Sequence, residues 1–194
     1  MGNKDLQQVI KDNVVKDNTI GDSLYIGSTI LKLEVPKVDT NTLIEIIERS
    51  KKLSEEDEEY KNFLEELNSL LSTRPGRNII GLEEKLKNGN REEVIDDAIY
   101  LESKFARRVA KDQLSRTAQA VYLHCLSKIN ASFFHNIRPL LDSNQDKILI
   151  DSIILSHVIT PIHQEVVKAD SSMSIDIVRG MLYFLTGKCH IKWD

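Results

Sequence analysis

Two rhythms of apolar residues divide this chain. Up to residue 36 the beat is five: Ile10, Val15, Ile20, Tyr25 and Ile30, with Asp12, Asp17 and Asp22 two places after the first three. A straight strand alternates its side chains, so a spacing of five would send successive members of the row to opposite faces. Pointing them one way requires a corner about once per pentad, and the intervening Lys-Asp-Asn, Gly-Asp-Ser and Gly-Ser-Thr stretches tolerate corners. That is the logic of a β-solenoid coil, which needs stacked neighbours and could find them in other subunits. The same residues also read as a β-hairpin, with Gly21-Asp22 as its turn and residues 14–20 and 23–30 as its arms. Either form exposes apolar side chains and open backbone edges. Residues 1–36 are therefore expected to be a β-rich oligomerisation segment with the five pentad residues at the interface.

After Pro36 the spacing becomes helical. Thr42 and Glu45 form a capping box that opens a helix with Leu43, Ile46 and Ile47 on one side. Ser54 is placed to cap the next helix, whose first turns are acidic and whose stripe is Tyr60, Phe63, Leu64, Leu67, Leu70 and Leu71. Thr73-Arg74-Pro75-Gly76-Arg77 ends it. A short helix from Leu82 closes at Asn88-Gly89, and Asn90, with Glu93 three residues on, opens a long one through Ile95, Ala98, Phe105 and Val109. Residues 114–141 carry Val121, Leu126, Ile129, Phe133, Phe134 and Ile137 ahead of Pro139.

Residues 148–167 are apolar on more than one side, the mark of a central helix, which Pro161 must kink or restart with Thr160 as its cap. A last helix over 174–185 stops at Gly187. The tail then alternates, with Cys189, Ile191 and Trp193 on one face and Lys188, His190 and Lys192 on the other. It predicts a short strand, fed inward by a reversal at Gly187, with Trp193 anchoring the body. The fold class is mainly α: a multi-helix, bundle-like domain over residues 37–194, ending in a short strand and preceded by the β-rich segment.

Composition narrows the function. The 194 residues hold 26 Lys plus Arg against 30 Asp plus Glu, a net charge of −4, so any hold on nucleic acid must be local. Two cysteines make no disulfide framework, and a reduced, cytoplasmic setting is expected. No apolar run reaches the ~18 residues of a membrane span, and Leu6 stands where a myristoylation signal needs Ser or Thr.

The candidate chemistry is sparse. His124-Cys125 and Cys189-His190 are residue types that zinc takes, but neighbours diverge by ~100° on a helix and point to opposite faces on a strand. No metal or cofactor is expected. His157 and His163 flank Pro161 near Glu165, which could line a site for metal-dependent or acid–base chemistry; histidines bonded around a kink fit the pattern equally. Nucleophile-elbow, Walker A and dinucleotide motifs are absent, and the chain is expected not to be an enzyme. Arg74-Pro75-Gly76-Arg77 hints at phosphate binding but reads as a connector. Lys104, Arg107, Arg108 and Lys111 share one broad helix face. They could contact nucleic-acid phosphates or an acidic partner, or be neutralised by the acidic helices nearby.

Three stretches carry a resemblance: residues 180–194 (GMLYFLTGKCHIKWD), residues 157–167 (HVITPIHQEVV) and residues 73–86 (TRPGRNIIGLEEKL). Together they resemble the C-terminal domains of ABC-three-component bacterial conflict systems, over roughly residues 38–194. The resemblance implies an interaction domain that couples an effector to an ABC-type ATPase and a middle component in antiviral defence, with the effector on a separate chain or the domain standing as an adaptor. The opening Asp-Asn and Gly-Asp repeats are similar to short repeats that precede domains in such proteins. The expected partners are a second copy of the chain and other protein components, with nucleic-acid contact only weak.

Overall fold

The computed structural model of the protein describes residues 38–194 and the backbone of two short strands before them. The chain divides into two compact units, residues 1–35 and 36–194. In the first, β1 (Ser23–Ile26) pairs antiparallel with β2 (Thr29–Lys32), Tyr25 opposite Ile30 and Leu24 opposite Leu31. β1 thus pairs with the residues that follow it, where a hairpin about Gly21-Asp22 would pair it with those before. Ile10, Val15 and Ile20, the coil they suggest and the Gly21-Asp22 turn lie outside the described residues.

The second unit is helical: α1 (Thr40–Lys52), α2 (Glu58–Leu71), α3 (Leu82–Asn88), a single 3-10 turn (Glu92–Val94) and α4 (Ile95–Lys111). α5 (Arg116–Ser132) runs through a π-helical turn, Phe133–Ile137, into α6 (Arg138–Asp142). α7 (Lys147–Ile153) runs through a second π turn, Ile154–Ile159, into α8 (Thr160–Ala169), and α9 (Ile175–Gly187) follows. None of the described helices is long and apolar enough to cross a membrane.

A π turn stands before each helical proline, and at Pro161 the Thr160 side chain is not the expected cap. A helical proline has no N–H for the carbonyl four residues back, and its ring clashes with that carbonyl. Here the residue before each proline bonds five residues back instead: the Arg138 amide donates to the Phe133 carbonyl, and the Thr160 amide to that of Leu155. One residue is absorbed as a bulge and the helix continues through Pro139 and Pro161. At the first bulge two adjacent aromatics point different ways, as neighbours on a helix do. Phe133 is buried against Trp193, while Phe134 is 67% exposed.

The core is centred on α9, which is apolar almost all round and buried from Met181 to Thr186. It lies along α4, close enough that a Cβ on Gly180 would run into the Leu101 carbonyl oxygen. Phe105 of α4 meets Tyr122 and Phe184 edge to face, with centroids 5.5 and 5.2 Å away, locking α4, α5 and α9 together.

Several helix starts differ from expectation. Asp39, not Thr42, caps α1: its carboxylate accepts from the Thr42 amide (3.2 Å) and hydroxyl (2.5 Å), which depresses its pKa. Asp57, rather than Ser54, precedes α2, and its carboxylate accepts instead from the Ser54 amide at 2.6 Å. Asn90 takes a left-handed φ of 54° to leave α3 and is not a cap; the 3-10 turn intervenes before α4.

The tail is not a strand. It forms no ladder; its backbone folds back on α9, the Cys189 and His190 amides donating to Thr186 (3.1 Å) and Leu185 (2.9 Å). The reversal is at Cys189, with φ 64°, while Gly187 stays in the last helical turn, where a Cβ would strike the Glu102 carboxylate. Cys189, Ile191 and Trp193 are buried, and so is His190, against the alternation. Its Nε2–H donates to the Ser72 carbonyl at 3.0 Å, and that partner removes the reason for the ring to face water.

Candidate docking groove

A groove of about 620 Å³ opens where four segments of the helical unit meet. The last turns of α2 form one wall through Glu66, Ser69 and Leu70. The connector after α2 brings Arg74 and Arg77. The end of α5 and its π turn bring Asn130, Phe133 and Phe134, followed by Arg138. The tail closes the floor with His190, Ile191 and Lys192.

The groove is cationic on a chain that is acidic overall. Arg74, Arg77, Arg138 and Lys192 line it against one carboxylate, Glu66. Arg77 Nη1 donates to the Cys189 and His190 carbonyls (2.8 and 3.3 Å), so the tail aims its guanidinium. Burial, then the nearby Arg74 charge, lower the Arg77 pKa. Arg138 pairs with Asp142 at 2.6 Å and donates to the Asp194 carbonyl. The Arg74 and Lys192 side chains are exposed and hold no hydrogen bond or ion pair among the described residues. Beside them the Phe134 ring stands in solvent, edge-on to His135. The connector reading of Arg74-Pro75-Gly76-Arg77 holds: Gly76, with φ 75°, makes the turn that carries two cations to the groove.

The basic face of α4 divides in two. Lys104 pairs with Asp176 at 3.1 Å, and Arg108 with Asp170 at 2.8 Å, Ser172, Asp112 and the Tyr122 hydroxyl. Lys104 staples α4 to the first turn of α9, and Arg108 staples it to the turn before α9 and to α5. Arg107 and Lys111 face solvent. Only half of the stripe is left for an outside partner.

No reactive group assembles at Pro161. Glu165 is buried and faces α5, where it takes Lys128 Nζ at 2.5 Å and His124 Nε2 at 2.8 Å. His157 Nδ1 meets its neighbour Ser156 Oγ at 2.8 Å, and His163 is half-buried. Cys125 is sealed in the core, where burial pushes its thiol up to about 12. Among the described residues no three His, Cys, Asp or Glu side chains gather as metal ligands would.

Two buried cations escaped the sequence reading. Lys85 shares the apolar face of α3 with Leu82 and Leu86, and its ammonium reaches the Thr186 (2.6 Å) and Gly187 (3.0 Å) carbonyls and Cys189 Sγ (3.0 Å). It caps the C-terminal end of α9, where the helix dipole favours a positive charge. A lysine three places after one core leucine and one before the next was the available signal. Arg91, 2% exposed, bonds Asp151 at 2.5 Å and lies over the Trp193 ring, 5.4 Å from its centroid.

Residues 81–193 match the family model of C-terminal domain 9 of the ABC-three component (ABC-3C) systems. The span opens at Gly81, which precedes α3, and closes on Trp193, taking in the α4, α5 and α9 core, both π turns and the tail. The 157–167 stretch lies within it, 180–194 does so up to Trp193, and 73–86 straddles its start; residues 38–80 precede it. No curated protein and no solved structure matches the chain. More than half of the sequence is covered by that one model, and the chain belongs to the family of C-terminal domains of the ABC-three-component systems.

Proposed function

We propose that this chain is a non-catalytic docking subunit of an ABC-three-component defence system, its helical unit holding a partner component and its N-terminal segment joining copies of the chain. The family match over residues 81–193 carries the reading, since such a system acts through several components. The ionisable groups that enzyme chemistry would require support it: Glu165, His124 and Lys128 satisfy one another, and Arg108 and Lys85 hold helices together. The partner is the system's ABC-type ATPase or its middle component. The oligomer rests on the pentad row Ile10, Val15, Ile20, Tyr25 and Ile30, whose apolar side chains call for a covering surface.

The test is co-expression with the ATPase and middle component encoded beside the chain, followed by light scattering on the eluted complex. A stable complex is expected. Removal of residues 1–36 is expected to leave helicity and cooperative melting intact while lowering the measured mass of the chain alone. A truncated chain with unchanged mass would refute the assembly role of the pentads, and no complex with either component would refute docking.

A further inference from the structure

We propose that the groove between α2, the 73–77 connector, the π turn after α5 and the tail binds a short acidic segment of a partner protein, carboxylates on Arg74 and Lys192 and an apolar side chain against Leu70 and Phe134. The inference rests on the docking reading and deepens it by naming the surface and the chemistry of its occupant.

Charge complementarity comes first. With Arg138 paired to Asp142, Arg74, Arg77 and Lys192 face one carboxylate, Glu66, in a chain of net charge −4, so a positive excess is local to the groove. Like charges drawn together in partly buried surroundings repel one another, and an anion relieves that repulsion. Arg77 is already aimed by two tail carbonyls, whereas Arg74 and Lys192 have no partner among the described residues. Arg77 is thus prearranged, and ordering on binding falls to the Arg74 and Lys192 side chains.

The rest of the lining sets the class of anion. Leu70, Ala131, Phe134 and Ile191 give the groove an apolar side, and a largely exposed phenylalanine at its edge is a surface for an incoming apolar side chain. A volume near 620 Å³ holds a few side chains, within the usual range for ligand clefts. An extended phosphate backbone fits poorly. Its path along α2 would meet the exposed Glu65 and Glu66 carboxylates, which repel phosphate. Arg138 and Lys192 lie inside the span matched by the family model, and Arg74 and Arg77 precede it.

The experiment is selection of displayed random peptides on the immobilised full-length chain, followed by fluorescence anisotropy of the selected peptides at physiological salt. Enrichment of Asp or Glu next to an aliphatic or aromatic residue is expected. Arg74→Ala combined with Lys192→Ala should weaken binding by about tenfold or more and flatten its salt dependence, through loss of charge-assisted bonds. Phe134→Ala should weaken it with the salt dependence kept. Arg74, Lys192 and Phe134 are exposed, and circular dichroism should find these variants folded. Selection of peptides without acidic residues, or binding that survives the double substitution, overturns the proposal. So does tighter binding of a short poly-thymidine strand, which would make the groove a polyanion site. If the co-expressed complex forms and the double variant still joins it with full affinity, the groove assignment fails while the docking reading stands.

Discussion

Replacing Trp193 by alanine tests how the tail is held. The indole is 5% exposed and meets Phe133 edge to face at 5.2 Å; its Nε1–H donates to Thr186 Oγ1 at 3.1 Å, and the Arg91 guanidinium rests over its face. Truncating a buried tryptophan costs about 3–5 kcal/mol through lost transfer free energy and the cavity left behind. Arg91 raises the figure. It is almost wholly buried, its Nη2 has no hydrogen-bond partner among the described residues, and without the indole it loses a cation–π contact of about 1 kcal/mol. The expected loss is therefore about 4–6 kcal/mol, and for a unit of this size each kcal/mol lowers Tm by about 2–4 °C. Thermal melting followed by far-UV circular dichroism should show a drop on the order of 10–15 °C. Trp193→Phe keeps a ring over Phe133 and beneath Arg91 and loses chiefly the bond to Thr186, so its drop should be a few degrees. As the sole tryptophan, Trp193 also reports its own release, and its fluorescence change in the wild type should coincide with the loss of helicity. An alanine variant that melts with the wild type would refute the anchoring role, above all if it failed to join partner components, because the tail would then be a docking strand and not part of the core. Equal losses in both variants would refute the argument from ring contacts.

Two further predictions concern the body. Gly180→Ala should destabilise by about 3 kcal/mol, because its Cβ would fall on the Leu101 carbonyl oxygen and against Phe105 and push α9 off α4; urea unfolding with an unshifted midpoint would show the helices tolerate the separation. His190 should make stability fall on acidification: burial, then Arg74 and Arg77, depress its pKa below the usual 6.5. A base depressed by folding takes up its proton more readily when unfolded, so this share of stability is full above pH 6.5 and declines as pH falls below it. His190→Gln should therefore give a shallower loss between about pH 7 and about pH 5, and an unchanged slope would remove His190 from the cause.

Local chemistry in the sequence determined much of the helical unit. Apolar spacing located the helices, Gly89 and the 73–77 break marked where two of them stop, and the phase of Cys189, Ile191 and Trp193 foretold their burial, because each of these depends on near neighbours alone. The 180–194 and 157–167 stretches also carried the family, later matched across 81–193. The choice among equally good local partners was decided in three dimensions. Asp39 displaced Thr42 as cap, the prolines were absorbed as π turns, and His190 went inward because Ser72, distant in sequence, offered its carbonyl. The cations were the least legible. Lys104 and Arg108 looked alike with Arg107 and Lys111 on one helix face, yet only the first two meet acids carried in by the start of α9 and the turn before it. The groove drew its charges from positions 74, 77, 138 and 192, which no local pattern links. A charge is read from its residue, but whether it is spent inside the fold or left for a partner depends on what the tertiary structure places within about 4 Å of it.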